Sequence, residues 1–181
     1  MIFEPTGLAG LVVVRPKKHA DARGFFARLW CAEEFAAAGY PFRPSQTSVS
    51  HNAAAFTLRG MHWQGAPHGE AKLVRAVRGR VFDVAVDLRA HSPTRFAWFG
   101  IELDAGEHTA LLIPNGFAHG FLTLTPQAEL LYGIDVAYVP GVGRGARYDD
   151  PAVGISWPHP PAVIAERDET WPPLDPTSPA P

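Results

Sequence analysis

Residues 57–89 read T-L-R-G-M-H-W-Q-G-A-P-H-G-E-A-K-L-V-R-A-V-R-G-R-V-F-D-V-A-V-D-L-R. Two apolar runs in this stretch, split by Gly79, read as strands. The second alternates: Phe82, Val84, Val86 and Leu88 point one way, and Val81, Asp83, Ala85 and Asp87 the other. That period of two predicts a half-buried strand. The stretch opens on Arg59-Gly60-Met61-His62 and carries Lys72 after a polar turn. A histidine, an arginine and a lysine are thus hung on a β framework with carboxylates on one face of it, which structural proteins seldom need.

The flanking chain extends the same pattern. Residues 10–16 (G-L-V-V-V-R-P) predict a short strand closed by proline, and residues 46–51 (Q-T-S-V-S-H) another. Residues 92–103 give a turn and then a strand, and residues 130–138 a strand that would carry both Tyr132 and Tyr138. The one good helix candidate is C-A-E-E-F-A-A-A-G, residues 31–39, alanine-rich and closed by glycine. Asp149-Asp150-Pro151 predicts a turn, and the chain beyond Trp157 is proline-rich. Many short strands and glycine turns with little helix predict an all-β fold, a double-sheet jelly roll with a few short helices. Pro114, Gly116 and His119 form a P-x-G-x-x-H pattern similar to the second motif of cupins, which are jelly rolls (double-stranded β-helices). One domain over residues 1–176 is expected, with 159–176 as a covering segment and 177–181 disordered.

Composition narrows the class. A chain of 181 residues can bury a sizeable core. A net charge of -2 gives no reason to expect a nucleic-acid or membrane surface. The lone cysteine, Cys31, allows no internal disulfide. No apolar run approaches the ~20 residues of a membrane span, and the start lacks the pattern of a signal peptide. A soluble cytoplasmic protein is the expectation.

The chemistry rests on a few side chains. His62 is of the residue type most often used as a general base, though a histidine on a strand can equally be a core group bonded to a carbonyl. Lys72 can stabilise a developing enolate, or simply snorkel from a strand end. Arg23 and Arg59 each precede glycine, a pairing that lets a phosphate approach the backbone and be gripped by the guanidinium; each alone also fits a surface turn. His119, in a glycine-flanked apolar segment, could bind a ligand, a metal or a backbone group. His62, His68, Glu70 and His119 can be drawn as a cupin metal set, but the H-x-H of the first cupin motif is missing, since Gln64 follows His62 at that spacing. Tyr132 could serve as an acid across a cavity, or be a half-buried strand aromatic. Asp168 matters only if the tail folds back to orient His62. A β cavity with a histidine base, basic anchors and a tyrosine acid suits proton transfer beside a carbonyl on a phosphorylated substrate.

Taken together, the following pieces resemble the dTDP-4-dehydrorhamnose 3,5-epimerase family: D-A-R-G-F-F (21–26), L-R-G-M-H-W-Q (58–64), A-K-L-V-R (71–75), V-F-D-V-A-V-D-L-R (81–89), S-P-T (92–94), I-P-N-G-F-A-H-G-F (113–121), Asp150-Pro151 and I-S-W-P (155–158). They run in family order. The resemblance implies a cupin-type jelly roll, a homodimer with exchanged β structure, a nucleotide-sugar substrate and no metal or other cofactor. It implies His62 as proton acceptor, Tyr132 as proton donor on the other face of the sugar, and Lys72 on the enolate oxygen, with Asp168 or Asp83 orienting His62. Arg23, Arg59 and His119 match sugar-nucleotide-binding positions. Gln46 and Ser48 fall in the nucleotide-contacting strand, Tyr138 stacks on the base, and Arg28 and Arg167 join the binding set. Arg28, Ser48, Glu70 and Gly143 stand where the family pattern usually has other residues. The rival functions are a metal-dependent cupin enzyme and a non-catalytic sugar-nucleotide-binding jelly roll.

Overall fold

A computed structural model describes residues 1–175; the tail predicted to be disordered lies outside the described residues. In chain order the elements are β1 (Ile2–Pro5), β2 (Val12–Arg15), β3 (Lys18–Asp21), β4 (Gly24–Ala27), α1 (Ala32–Ala37), β5 (Gln46–Asn52), β6 (Leu58–Gln64), β7 (Lys72–Arg78), β8 (Arg80–Asp87), β9 (Trp98–Asp104), β10 (Ala110–Ile113), β11 (Phe117–Thr123), β12 (Ala128–Ile134), β13 (Gly143–Gly145) and α2 (Glu166–Glu169). Two antiparallel sheets face each other, one ordered β1-β2-β10-β7-β12-β5 and the other β13-β6-β11-β8-β9. The β3–β4 hairpin stands apart as a third, two-stranded sheet. This is the jelly roll that the short strands and glycine turns predict.

The period of two feeds more than one core. Val13, Leu111 and Ile113 enter the layer between the sheets with Val74, Val81, Ala85, Phe117, Phe121 and Leu130. Their chain neighbours Val12, Val14, Ala110 and Leu112 pack outward under Phe35 of α1 and Phe42. A strand covered on both faces needs an unbroken apolar run, which is why V-V-V and A-L-L-I do not alternate with polar residues. β8 is also covered on both faces although it carries Asp83 and Asp87, so it is not half-buried as its alternation predicts. Val84 and Val86 on its outer face, and Leu88 just past its end, are covered by Ile155, Trp157 and Leu174 from the C-terminal segment.

The predicted helix is shorter than its alanine-rich run. Cys31 is an extended N-cap, and Gly39 follows Ala38 at φ +84, the left-handed end that glycine accepts without strain. The predicted strand over 130–138 stops at Ile134. The Asp135 carboxylate accepts the Ala71 N–H at 2.8 Å there and turns the chain away, so Tyr138 lies in the following loop and not beside Tyr132. Asp149-Asp150-Pro151 does form a turn. The buried Asp150 also accepts the Leu174 N–H at 2.7 Å, which ties down the end of the described chain.

Between these anchors the C-terminal segment runs along the free edge of β6. Val163 pairs with Thr57, the Leu58 N–H donates to the Val163 carbonyl at 2.8 Å, and His159 stacks on Phe56. Farther along the same edge β13 pairs with Trp63, Gln64 and His62. Closing that edge brings α2 over β6. Among the described residues no helix is long and apolar enough to cross a membrane.

Candidate active site

One irregularity in β6 builds the site. His62 pairs with His119 of β11, and Arg59 pairs with Phe121, so Gly60 and Met61 together oppose Gly120 alone. Two residues against one is a β-bulge. In a regular strand, residues three apart point to opposite faces. The bulge resets the phase, so Arg59 and His62 both face the space between the sheets, while Met61 and Trp63 pack outward. Only glycine permits it: Gly60 sits at φ +129, and a Cβ there would stand 2.5 Å from the Gly120 Cα.

The resulting cavity has a volume of about 530 Å³, within the usual range of small-molecule sites. Arg59, His62, His119, Lys72 and Tyr132 line it, with Gln46, Tyr138, Arg167 and Asp168 also in the wall. His62 and His119 come from one sheet, Lys72 and Tyr132 from the sheet opposite.

His62 Nε2 lies 2.6 Å from Asp168 Oδ1, and the other Asp168 oxygen accepts the Gly60 N–H at 3.1 Å. The aspartate is 4% exposed, whereas the imidazole remains open to the cavity. Burial pushes the Asp168 carboxyl up. The hydrogen bond and charge of His62 and the Gly60 N–H outweigh it, and hold the carboxyl below its usual 3.8. Asp83 plays no part at His62. It lies 2.8 Å from His119 Nε2, wholly buried, because β8 and β11 pair with Asp83 opposite Phe121, one inward-facing step from His119.

Lys72 is buried at the start of β7. Its Nζ lies 3.0 Å from Glu70 Oε1 and 3.4 Å from the His62 carbonyl. The other Glu70 oxygen accepts from Gln64 Nε2 at 2.8 Å, and Gln64 Oε1 accepts the Val139 N–H at 3.1 Å. Lysine has three donors, so one remains beyond those two acceptors. Tyr132 is half-buried with its ring edge-on to His119, centroids 5.9 Å apart. Burial pushes its phenol well above the usual value; the Asp83 charge adds to this, and the Ser50 hydroxyl and Arg59 pull the other way. The phenol is therefore protonated at neutral pH and can donate a proton.

Other expected contacts lie elsewhere. Arg23 is at the tip of the β3–β4 hairpin, 89% exposed and bonded to Asp21. Arg28 follows the same hairpin and pairs with Glu34 at 2.7 Å. Ser48 is exposed on the edge strand β5, opposite Tyr132 in register. None of the three lines the cavity of its own chain. The imagined metal set is not assembled. His68 is outside the cavity, Glu70 is held by Lys72 and Gln64, and each of the two histidines faces a carboxylate. Among the described residues no group of three or more His, Cys, Asp or Glu is placed to hold a metal ion. Arg144, which sequence reasoning missed, also lines the cavity.

A jelly roll with a carboxylate-backed histidine facing a lysine and a protonated tyrosine defines a cupin-like protein suited to proton transfer. The chain belongs to the dTDP-4-dehydrorhamnose 3,5-epimerase family, whose family model matches residues 5–176. It is 38% identical over 179 residues to the dTDP-4-dehydrorhamnose 3,5-epimerase of Sinorhizobium fredii, covering 96% of this chain and 90% of that one. It is 36% identical over 170 residues to the dTDP-4-dehydrorhamnose 3-epimerase of Streptomyces niveus, covering 93% and 82%. The crystal structure of the Bacillus anthracis 3,5-epimerase with TDP and PPi bound superposes with a TM-score of 0.92 at 34% identity, covering 96% of this chain and 99% of that one.

Proposed function

We propose that the chain inverts C3 and C5 of a dTDP-linked 4-keto-6-deoxyhexose through an enolate, with His62 as base, Lys72 on the enolate oxygen and Tyr132 as acid. A 4-keto group acidifies the hydrogens on both neighbouring carbons. A base then removes one proton, a cation holds the charge that develops on oxygen, and an acid returns a proton to the opposite face. The observation that carries this reading is the placement of His62, backed by Asp168 at 2.6 Å, on one sheet and of Tyr132 and Lys72 on the sheet facing it, around one cavity. A sugar ring between the sheets would meet a base on one face and an acid on the other. Asp168 fixes the imidazole, and Arg59, Arg167 and His119 offer donors for the diphosphate and sugar. Gln46 and Tyr138 are available to the nucleoside. Both kinds of named relative, the 3,5-epimerase and the 3-epimerase, support a common enolate chemistry.

The reading includes a homodimer. On the β3–β4 hairpin Arg23 is 89% exposed and Phe26 73% exposed, while Phe25 rests partly on His108. A second copy would give these side chains a cavity to enter and Arg23 a phosphate to bind.

His62→Ala tests the assignment. It abolishes exchange of substrate protons with solvent while dTDP still binds, because the fold and the basic anchors are untouched. Exchange at the wild-type rate in His62→Ala overturns the assignment of the base.

A further inference from the structure

We propose that Trp171 is a positioning residue for the reaction: its indole, packed flat against Gly145, holds α2 so that Asp168 stays on His62. This rests on the reading of the His62–Asp168 pair as the catalytic base.

Asp168 reaches His62 from a helix of only four residues, and no side chain caps that helix. Its N-terminal side is anchored by the backbone bonds of Val163, and the chain is anchored again at Leu174. Trp171 stands between Asp168 and the second anchor. It meets β13 at Gly145, which is the register partner of His62 itself. A Cβ at Gly145 would overlap the Cε2 and Nε1 atoms of Trp171, so the indole occupies the space that any other residue would fill. Arg167, the neighbour of Asp168, lies over the same ring at 4.9 Å. The indole therefore ties the helix to β13, with glycine beneath it and the Arg167 guanidinium on the ring, while Arg147 donates to the Glu169 carbonyl at 3.1 Å.

The indole N–H has no hydrogen bond of regular geometry among the described residues, although it is buried. Its surroundings include the Asp168 carboxyl, which it helps to hold low. Removing the ring opens a space beside Gly145, and Asp168 loses its hold on the His62 ring. Misplacement of a catalytic group by about 1 Å can cost on the order of 10²-fold.

The test is a double-mutant cycle on turnover of dTDP-4-keto-6-deoxyglucose, with melting temperature and dTDP affinity recorded for each chain. Trp171→Ala is expected to lower kcat by roughly 10-fold or more, with a smaller loss of dTDP affinity through Arg167, which shares the diphosphate with Arg59 and His119. Trp171→Phe, which keeps a flat ring on Gly145, is expected to recover most of the loss. In an Asp168→Asn background Trp171→Ala should cost nothing further, because its effect passes through the carboxylate. Wild-type kcat in Trp171→Ala overturns the proposal. So does an equal loss from Trp171→Ala with or without Asp168, or a Trp171→Phe chain as slow as Trp171→Ala with unchanged melting. If Asp168→Asn itself turns over normally, the reading of the base fails instead, and the two failures are thereby told apart.

Discussion

His62 and Asp168 are separated by 106 positions in the chain, yet their side chains meet at 2.6 Å. The aspartate arrives on a segment that closes the free edge of β6, so the same segment that covers that edge places a carboxylate behind the proposed base. A carboxylate behind an imidazole fixes the tautomer and the ring angle, and stabilises the imidazolium that forms when the base takes a proton. Asp168→Asn keeps the shape and removes the charge. It is expected to lower kcat by roughly 10²-fold or more with little change in dTDP affinity, measured by steady-state turnover and calorimetry.

Gly60 bears on the site from the backbone. Its φ of +129 and the 2.5 Å that would separate a Cβ from the Gly120 Cα leave no room for a side chain. Gly60→Ala must open the bulge, and with it the phase that turns Arg59 and His62 to the same side. The expected outcome is a loss of more than ~1 kcal/mol of stability together with loss of turnover, seen in chemical denaturation and assay of the same sample.

Away from the cavity, Asp87 closes the loop after β8. Its carboxylate takes Arg89 at 2.7 Å, Ser92 at 2.5 Å and Thr94 at 2.8 Å. Burial pushes this carboxyl up, but those three partners bring it down to about 2, below the ordinary 3.8. The folded value is the lower one, so the contribution is complete above about pH 4 and is lost as pH falls toward 2. Arg89 is partly exposed and screened, which limits the effect to on the order of 1 kcal/mol. Asp87→Asn should melt below the wild type at pH 7, with the gap narrowing in thermal scans taken below pH 4.

Much of this site is legible in sequence because its residues are local. Arg59, His62 and Lys72 sit within one stretch, and the glycine between the first two marks the place where a backbone must bend. The jelly roll follows from short apolar runs broken by glycine and proline. What sequence does not carry is phase across a bulge: nothing in R-G-M-H says that Arg59 and His62 share a face. Nor does it assign partners among carboxylates. Asp83 lies in the alternating strand and is a natural candidate to orient His62, yet strand pairing delivers it to His119. Glu70 and Lys72 are spaced as same-side neighbours in an extended chain, a signal that could have linked them; Gln64 and the Val139 backbone complete that network only in three dimensions. Arg23 and Arg28 match a binding pattern, but within one chain they pair with Asp21 and Glu34 outside the cavity.

The most direct measurement is NMR of dTDP-4-keto-6-deoxyglucose incubated with the wild-type protein in deuterated water. An enolate mechanism served by His62, Lys72 and Tyr132 at both neighbours of the keto group predicts deuterium at C3 and at C5. Clear binding of the nucleotide sugar with no deuterium at either carbon would contradict it.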